Sequence, residues 1–269
     1  MWSHLERGSS PVDWCESNYS ISPLIAEFVN TVSNVLFFLL PPVLIHLFQE
    51  YAKFVNPAIN ILWVLLMIVG ISSAYFHATL SLVGQLLDEL AILWVFMAAF
   101  AMFLPRRYFP KFLRGNRRVL AFYSSVVSVM STGFLVMHPA ANAFALMTLA
   151  FPAIGFLYKE LTRVKCARVY RLGLRCVAVS FLAKFCWIID RLFCDAWLSI
   201  NFPYFHGLWH ILIFIASYTA LVLFAYFHVS EERPEQKPLL RYWPRNDFEL
   251  GIPYITFKHP CKNDKGHAI

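Results

Sequence analysis

The chain has 269 residues, of which 59% are hydrophobic and 14% are charged. An ordinary soluble domain carries about 25% charged residues, so this composition argues against a soluble fold, whose surface would lack polar cover. The formal net charge of +7 comes from sparse charges in a few loops, which makes nucleic acid a poor explanation for the basic balance. We therefore interpret the chain as one membrane domain.

Apolar blocks long enough to cross a bilayer recur along the chain, since each is close to the ~20 residues that a spanning helix needs. The seven blocks are 28–48, 59–80, 86–104, 119–137, 140–158, 172–193 and 205–228. The fifth is the weakest, because Asn142 and Pro152 interrupt it, and without it the count falls to six. The sequence thus predicts an all-α membrane protein, a seven-helix bundle over 28–228 between an N-terminal segment (1–27) and a loosely ordered tail (229–269).

The loop charges predict how the bundle is oriented, because cytosolic loops carry an excess of Lys and Arg. Basic residues concentrate in the loops 105–118 and 159–171, whereas acidic residues precede the first block. We expect a lumenal or extracellular N-terminus and a cytosolic tail. We see no cleavable signal peptide, so we expect the first block to direct insertion.

Histidines inside the apolar blocks need an explanation, because ionisable residues in a membrane are costly. His206 and His210 are four residues apart and share one helix face, so they could bind one metal ion. That pair alone does not separate a metal site from hydrogen-bonded core histidines. His77 lies near the end of the second block, one turn after Ser73, and Asp88 lies near the start of the third block after a short connection.

The predicted span directions place all five of these side chains in the same leaflet. One interpretation is a polar network that satisfies itself between helices. The other is a three-histidine zinc site with an open fourth position, which is the catalytic form. Such a zinc ion would lower the pKa of a water molecule to about 7. Asp88 could then transfer protons, and Ser73 could hydrogen-bond the oxyanion.

The N-terminal segment DWCESNYS supplies oxygen ligands through Asp13, Glu16 and Asn18, and Glu27 follows before the first block. Their spacing does not match an EF-hand loop. Spacing alone therefore favours a solvated acidic loop over a calcium site.

The six cysteines are divided by the predicted orientation. Only Cys15 and Cys194 fall on the outer side, which is oxidising if it is a lumen. We expect a disulfide between them that ties the N-terminal segment to the end of the sixth span. Two unpaired thiols are the alternative.

These motifs resemble the alkaline ceramidase family. The matching stretches are DWCESNYS with IAEFVNTVSN, YFHATLSLVGQLLDELAILW, CWIIDRLFC and NFPYFHGLWH, and the order continues to GIPY near the end of the chain. The family is similar to adiponectin and progestin receptors, which also have seven spans and a zinc site. The resemblance implies hydrolysis of ceramide to sphingosine and a free fatty acid.

The resemblance also implies roles for individual residues. It assigns zinc to His77, His206 and His210, and places Ser73 and Asp88 beside it as catalytic residues. It reverses the preference for a solvated acidic loop, because family members bind calcium there, and it again implies the disulfide. The corresponding calcium ligands here are Asp13, the Trp14 carbonyl, Glu16, Asn18 and Glu27.

The resemblance extends to family members of two compartments. RYWPRN favours the endoplasmic reticulum, which we expect, whereas NFPYFHGLWH and RPEQ favour the Golgi as the alternative.

Two other functions compete with hydrolysis. A receptor or lipid sensor of the same fold would show little or no turnover. A transporter or channel would use the buried His and Asp residues as a proton relay, and it would need charged residues spread across the membrane depth. In this chain the predicted intramembrane charges cluster in one leaflet instead, with Lys184 as the main exception. We expect a ceramide substrate in the membrane, and no obligate protein partner is evident.

Overall fold

The computed structural model describes residues 2–113, 115–137 and 141–258, and most of them are helical. The α-helices are α1 Phe28–Val32, α2 Val35–Leu47, α3 Gln49–Phe54, α4 Ile59–Thr79, α5 Leu82–Phe103, α6 Arg117–Met137, α7 Ala141–Leu161, α8 Ala167–Leu192, α9 Cys194–Ser199 and α10 Phe205–Glu232. Two strands follow, β1 Pro238–Trp243 and β2 Ile252–Phe257. Short 3-10 helices lie at Trp2–Leu5, Arg106–Tyr108, Lys111–Leu113 and Pro234–Gln236.

The helices confirm a multi-pass membrane protein. Within the described ranges, five segments are long and apolar enough to cross a bilayer: Phe28–Leu47, which joins α1 and α2, and the helices α4, α5, α8 and α10. The predicted fourth and fifth spans coincide with α6 and α7, which have 21 residues each but are not among those five. Residue 140, where the fifth span was predicted to begin, lies outside the described residues.

The first predicted span is broken near its start. Helix α1 ends at Val32 and α2 begins at Val35, although 28–48 was predicted as one continuous block. At the break, the Ser33 hydroxyl and the side-chain amide of Asn34 both donate to the backbone carbonyl oxygen of Asn30, at 2.8 and 3.0 Å. Side-chain bonds of this kind compete with the regular helical pattern. The break brings Ser33 close to α10.

A tight turn joins α4 to α5. Leu80 ends α4 in the left-handed conformation, with φ of 48°, and Ser81 caps α5 by accepting a hydrogen bond from the Gly84 amide at 3.1 Å. This cap starts α5 at Leu82, four residues before the predicted start at Leu86. The turn holds the end of α4 against the first turns of α5, as the sequence predicted.

The helices pack around α10, which lies against α8 and also contacts α1, α2 and α5. On the other side, α4 packs against α2 and α5. Gly70 allows a close approach of α4 to α2, because a Cβ there would overlap the Cβ of Phe37 on α2. A small residue at such a crossing lets two membrane helices approach closely.

The tail corrects two predictions, because 238–257 is neither loosely ordered nor helical. β1 and β2 form an antiparallel two-stranded sheet in which Leu240 pairs with Ile255. Leu240, Tyr242 and Ile255 are buried in the main hydrophobic core, and the strands pack on α10. Both segments alternate buried and more exposed residues, the period of a half-buried strand. The tail's prolines and mixed charges hid that pattern, and residues 259–269 lie outside the described part.

Candidate metal centre

Three histidines from two helices converge in the interior. His77 comes from the last turn of α4, and His206 and His210 come from successive turns at the start of α10. One ligand nitrogen from each lies within 4.8 Å of the others, and no ring is more than 2% exposed. Since α10 supplies two ligands at helical spacing and the α4–α5 turn positions the third, the structure brings together the three histidines that the sequence singled out.

Two of the rings are oriented by hydrogen bonds at Nδ1. The Glu27 carboxylate bonds Nδ1 of His77, and Ser33 Oγ lies 2.7 Å from Nδ1 of His210. Ser33 has one hydroxyl hydrogen, and it is donated to the Asn30 carbonyl at 2.8 Å, so Nδ1 of His210 is the donor in its bond to Ser33. Both imidazoles therefore present Nε2 as a lone-pair donor, the usual arrangement of metal-binding histidines.

His206 is held by its ring face and its backbone. Its imidazole stacks on the Trp14 indole with 3.6 Å between ring centroids, and its amide donates to Oδ1 of Asp190 at 3.1 Å. Its Nδ1 is buried and has no hydrogen-bond partner in the described part of the chain. Such orphaned groups are uncommon. Together with the two oriented rings, this three-imidazole cluster fits a zinc ion with one open position.

The two predicted catalytic residues lie beside the cluster. Ser73 Oγ is 3.3 Å from Nε2 of His210, and the Ser73 side chain also interacts with the Asp88 carboxylate. Ser73 is one turn before His77 on α4, and Asp88 lies in the second turn of α5. Both are buried. The hydroxyl and the carboxylate thus lie in one polar layer with the imidazoles.

The predicted calcium ligands lie in the segment that covers this layer. The backbone amide of Trp14 donates to Oε1 of Glu27 at 3.0 Å, and the side-chain amide of Asn18 donates to Oδ2 of Asp13 at 3.0 Å. Glu16 accepts from the amides of Val29 and Asn30 at 2.7 and 2.8 Å and so caps α1.

The acidic oxygens of this segment are less tightly grouped than the histidines. Over the described ranges, the compact group of metal-ligating atoms is the histidine cluster. Burial raises the pKa of Asp13, Glu16 and Glu27, because desolvation disfavours a charged carboxylate, and the neighbouring Glu27 raises the pKa of Asp13 further.

Known proteins resemble this chain over nearly its whole length. Residues 6–256 match the family described as Ceramidase. The chain belongs to the ceramidase family. It is 61% identical to the alkaline ceramidase of Drosophila melanogaster over 261 residues, which cover 97% of this chain and 92% of that relative. It is 40% identical to alkaline ceramidase 1 of Homo sapiens over 255 residues, which cover 95% of this chain and 97% of that protein. The family resemblance predicted from the motifs is confirmed.

A disulfide and a buried carboxylate tie the covering segment of this ceramidase-family chain to the cluster. Cys15 and Cys194 form the predicted disulfide, with 5.3 Å between their Cα atoms. Asp190, fully buried on α8, accepts from the amides of Cys15 and His206 at 3.3 and 3.1 Å. The sequence reasoning missed Asp190, although an acid inside the sixth predicted span was a usable signal.

Lys184 lies apart from the site, in the middle of α8. Its ammonium group is 5.7 Å from the ring centroid of Phe151 on α7 and 5.9 Å from that of Phe181. Cation–π contacts of this kind partly compensate a cation for lost hydration. The lysine therefore has an interhelical contact of its own and does not extend the polar layer across the membrane.

Proposed function

We propose that this chain hydrolyses the amide bond of ceramide within the membrane and releases sphingosine and a free fatty acid. The observation that carries the proposal is the buried cluster of His77, His206 and His210 with Ser73 and Asp88 beside it. Membership of the ceramidase family supports the substrate class, because the matched relatives are named alkaline ceramidases over nearly their whole length.

The site residues divide the work of hydrolysis among them. Zinc held by the three histidines would lower the pKa of a water molecule and so supply a nucleophile near neutral pH. Asp88 accepts the proton that this water loses and delivers it to the leaving amine, which departs as sphingosine. Ser73 donates a hydrogen bond to the carbonyl oxygen as negative charge develops on it.

The surroundings favour a lipid substrate. Each of the five site residues is no more than 9% exposed, and each is carried by a helix that is long and apolar enough to cross the bilayer. A substrate dissolved in the membrane reaches such a layer between helices, whereas a water-soluble amide would have to leave bulk solvent first. The low dielectric of the layer also strengthens the interactions that stabilise charge in the transition state.

We further propose that calcium braces the N-terminal segment. Support comes from Glu27, whose one oxygen bonds the Trp14 amide while the other bonds the His77 ring. A cation that ordered this segment would therefore also order a zinc ligand, and removing calcium should lower activity. The proposed ligands are Asp13, the Trp14 carbonyl, Glu16, Asn18 and Glu27.

The proposed setting is a seven-span protein of the endoplasmic reticulum membrane, with the Golgi membrane as the alternative. The long helices α6 and α7 support seven spans. The basic loops before and after them support a lumenal N-terminus and a cytosolic tail. The polar layer would then lie in the lumenal leaflet, beside the disulfide.

The proposal is tested by measuring metal content and turnover together. Wild type, His77→Ala and the control His46→Ala, an exposed histidine at the end of α2, are purified in detergent. Elemental analysis gives bound zinc, and mass spectrometry follows sphingosine released from a long-chain unsaturated ceramide at alkaline pH with calcium present. We expect one zinc per chain and turnover in wild type and His46→Ala, and loss of both in His77→Ala.

Two outcomes would contradict the proposal in different ways. Zinc without turnover on any ceramide would favour the receptor or lipid sensor. A folded wild type without zinc would return the three histidines to a structural polar network.

A further inference from the structure

The hairpin formed by β1 and β2 ends in a tip, residues 243–251, that lies against the side of α8. The Arg171 side chain donates to Oε1 of Glu249 at 2.6 Å, and Arg168 donates to Oδ1 of Asn246 at 3.1 Å. The Arg175 guanidinium bonds the Glu249 carbonyl and, at 3.0 Å, the Tyr242 hydroxyl. These bonds fix the tip along the first turns of a helix that crosses the membrane.

The length of α8 places the tip at the membrane surface. The helix has 26 residues, so it is about 39 Å long at 1.5 Å per residue. The hydrocarbon core takes about 20 residues of it. The remaining residues, about six, lie at the N-terminal end of α8, where the arginines are, so the core begins near Gly173, two residues before Arg175. The Glu249 backbone that is bonded to Arg175 then lies at the boundary between the headgroups and the hydrocarbon.

The tip presents apolar side chains outward at this depth. Trp243, Phe248 and Leu250 are 47%, 45% and 77% exposed. Near the start of α8, Tyr170 and Leu174 are exposed as well, at 45% and 51%. Aromatic rings are enriched where a protein surface passes from hydrocarbon to water. Because the tip is bonded to the N-terminal end of a helix that is long and apolar enough to cross the membrane, we take lipid as the material that covers these groups.

Charge on the same hairpin fits lipid headgroups. Arg241 and Arg245 are exposed beside the apolar groups, and arginine binds phosphate through charge-assisted, often bidentate hydrogen bonds. Asp247 is exposed as well and pairs with Arg245 at 3.9 Å. The three arginines on α8 are engaged with the loop itself, so Arg241 and Arg245 are the guanidinium groups of this surface that face outward.

We propose that the hairpin tip is an interfacial anchor. Trp243, Phe248 and Leu250 insert among the headgroups of the leaflet at the N-terminal end of α8, and Arg241 and Arg245 bind phosphates of anionic lipids there. The anchor fixes the hairpin, and with it the helix face of α10 on which the strands pack. This inference stands on the position of the tail and does not depend on ceramide hydrolysis.

The test measures where a probe on the tip lies. Leu250→Cys, and as a matched control Glu235→Cys at the open end of the same hairpin, are made in a Cys166→Ser, Cys261→Ser background. Of the remaining cysteines, Cys176 and Cys186 are buried, and Cys15 and Cys194 form the disulfide. The full chain is labelled with the fluorophore NBD and placed in nanodiscs of phosphatidylcholine and phosphatidylserine. Emission wavelength is read, along with quenching by aqueous iodide and by lipids carrying a nitroxide at the headgroup. As a control for folding, each labelled protein must have the melting temperature of wild type.

We expect the label at 250 to emit at shorter wavelength, to lose most of its emission to the nitroxide lipid and to be shielded from iodide, while the label at 235 shows the reverse. Equal iodide quenching at both positions, with no effect of the nitroxide lipid at 250, would overturn the anchor and leave the tip free for a protein partner. Nanodiscs of phosphatidylcholine alone test the arginines. Weaker shielding at 250 supports their phosphate contacts, and unchanged shielding removes Arg241 and Arg245 from the proposal.

Discussion

Removing one hydroxyl group should weaken zinc binding while leaving the fold intact. Ser33 Oγ accepts from Nδ1 of His210 at 2.7 Å, and Ser33→Ala leaves that buried donor without an acceptor. An unsatisfied buried donor costs about 1–3 kcal/mol. Loss of the hydrogen-bond partner of a metal-binding histidine lowers affinity about 10–100-fold, which corresponds to about 1.4–2.7 kcal/mol. Because the two estimates agree, we expect the zinc dissociation constant to rise by about 10–100-fold.

Zinc affinity is measured on protein stripped of metal by a chelator, in competition with a chromophoric zinc indicator. Ser33→Thr keeps the hydroxyl and should bind as wild type does. Ser180→Ala is the matched control, because it removes a hydroxyl that donates to the Cys176 carbonyl on α8, away from the cluster. The reasoning is refuted if folded Ser33→Ala binds zinc with wild-type affinity, since the Ser33 contact would then not orient His210.

Three further predictions concern stability. Gly70→Ala should destabilise the protein by about 1–3 kcal/mol, because a new methyl group would overlap a phenylalanine of α2, whereas Gly155→Ala, with nothing within 4 Å, should not. Replacing Cys15 and Cys194 together by Ser should lower the melting temperature, since the disulfide spans a sequence separation of 179 residues. The loss of stability should be at most about 5 kcal/mol, because helices that stay in the lipid already restrict the unfolded chain. Glu249→Gln should destabilise at neutral pH, because hydrogen bonds from α8, first from Arg171, lower the pKa of Glu249. That contribution is present above the unfolded pKa of about 4.3 and is lost as pH falls through the lower folded value.

Thermal melting in detergent checks all three. Equal melting of the two glycine variants would show that α2 and α4 can separate at no cost. If the double cysteine variant melts at the same temperature as reduced wild type, and below oxidised wild type, the difference is due to the disulfide. If reduction does not change the melting temperature of wild type, the disulfide does not stabilise the fold. For Glu249→Gln the quantity is the melting difference from wild type, which should shrink below about pH 4. A difference that is constant with pH would exclude the carboxylate charge as its source.

The site shows how far local patterns reach. His206 and His210 were identifiable because helical spacing alone puts them on one face. His77, Ser73 and Asp88 stood out because polar residues are rare in apolar spans. The partners that orient the rings were not identifiable, because Glu27 is 50 residues from His77 and Ser33 is 177 residues from His210 along the chain. No local pattern encodes which side chain faces a ring across that separation.

The tail shows the opposite error. Prolines and mixed charge in 229–269 predict a loosely ordered tail, yet Leu240, Tyr242 and Ile255 alternate as in a strand and are buried in the core. A lone hairpin is marginally stable in water, so composition could not reveal that α10 and α8 supply the surface on which this one is stable.

By itself the sequence determined that the chain is a multi-pass helical membrane protein of the ceramidase family with a histidine set suited to zinc. It could do so because span length, helical spacing and long motifs are properties of contiguous residues. Only the tertiary structure decided the break at Ser33, the role of Asp190 at the start of α10 and the docking of the hairpin on α8. Each of these depends on contacts between distant segments, and such contacts exist only once the helices have packed.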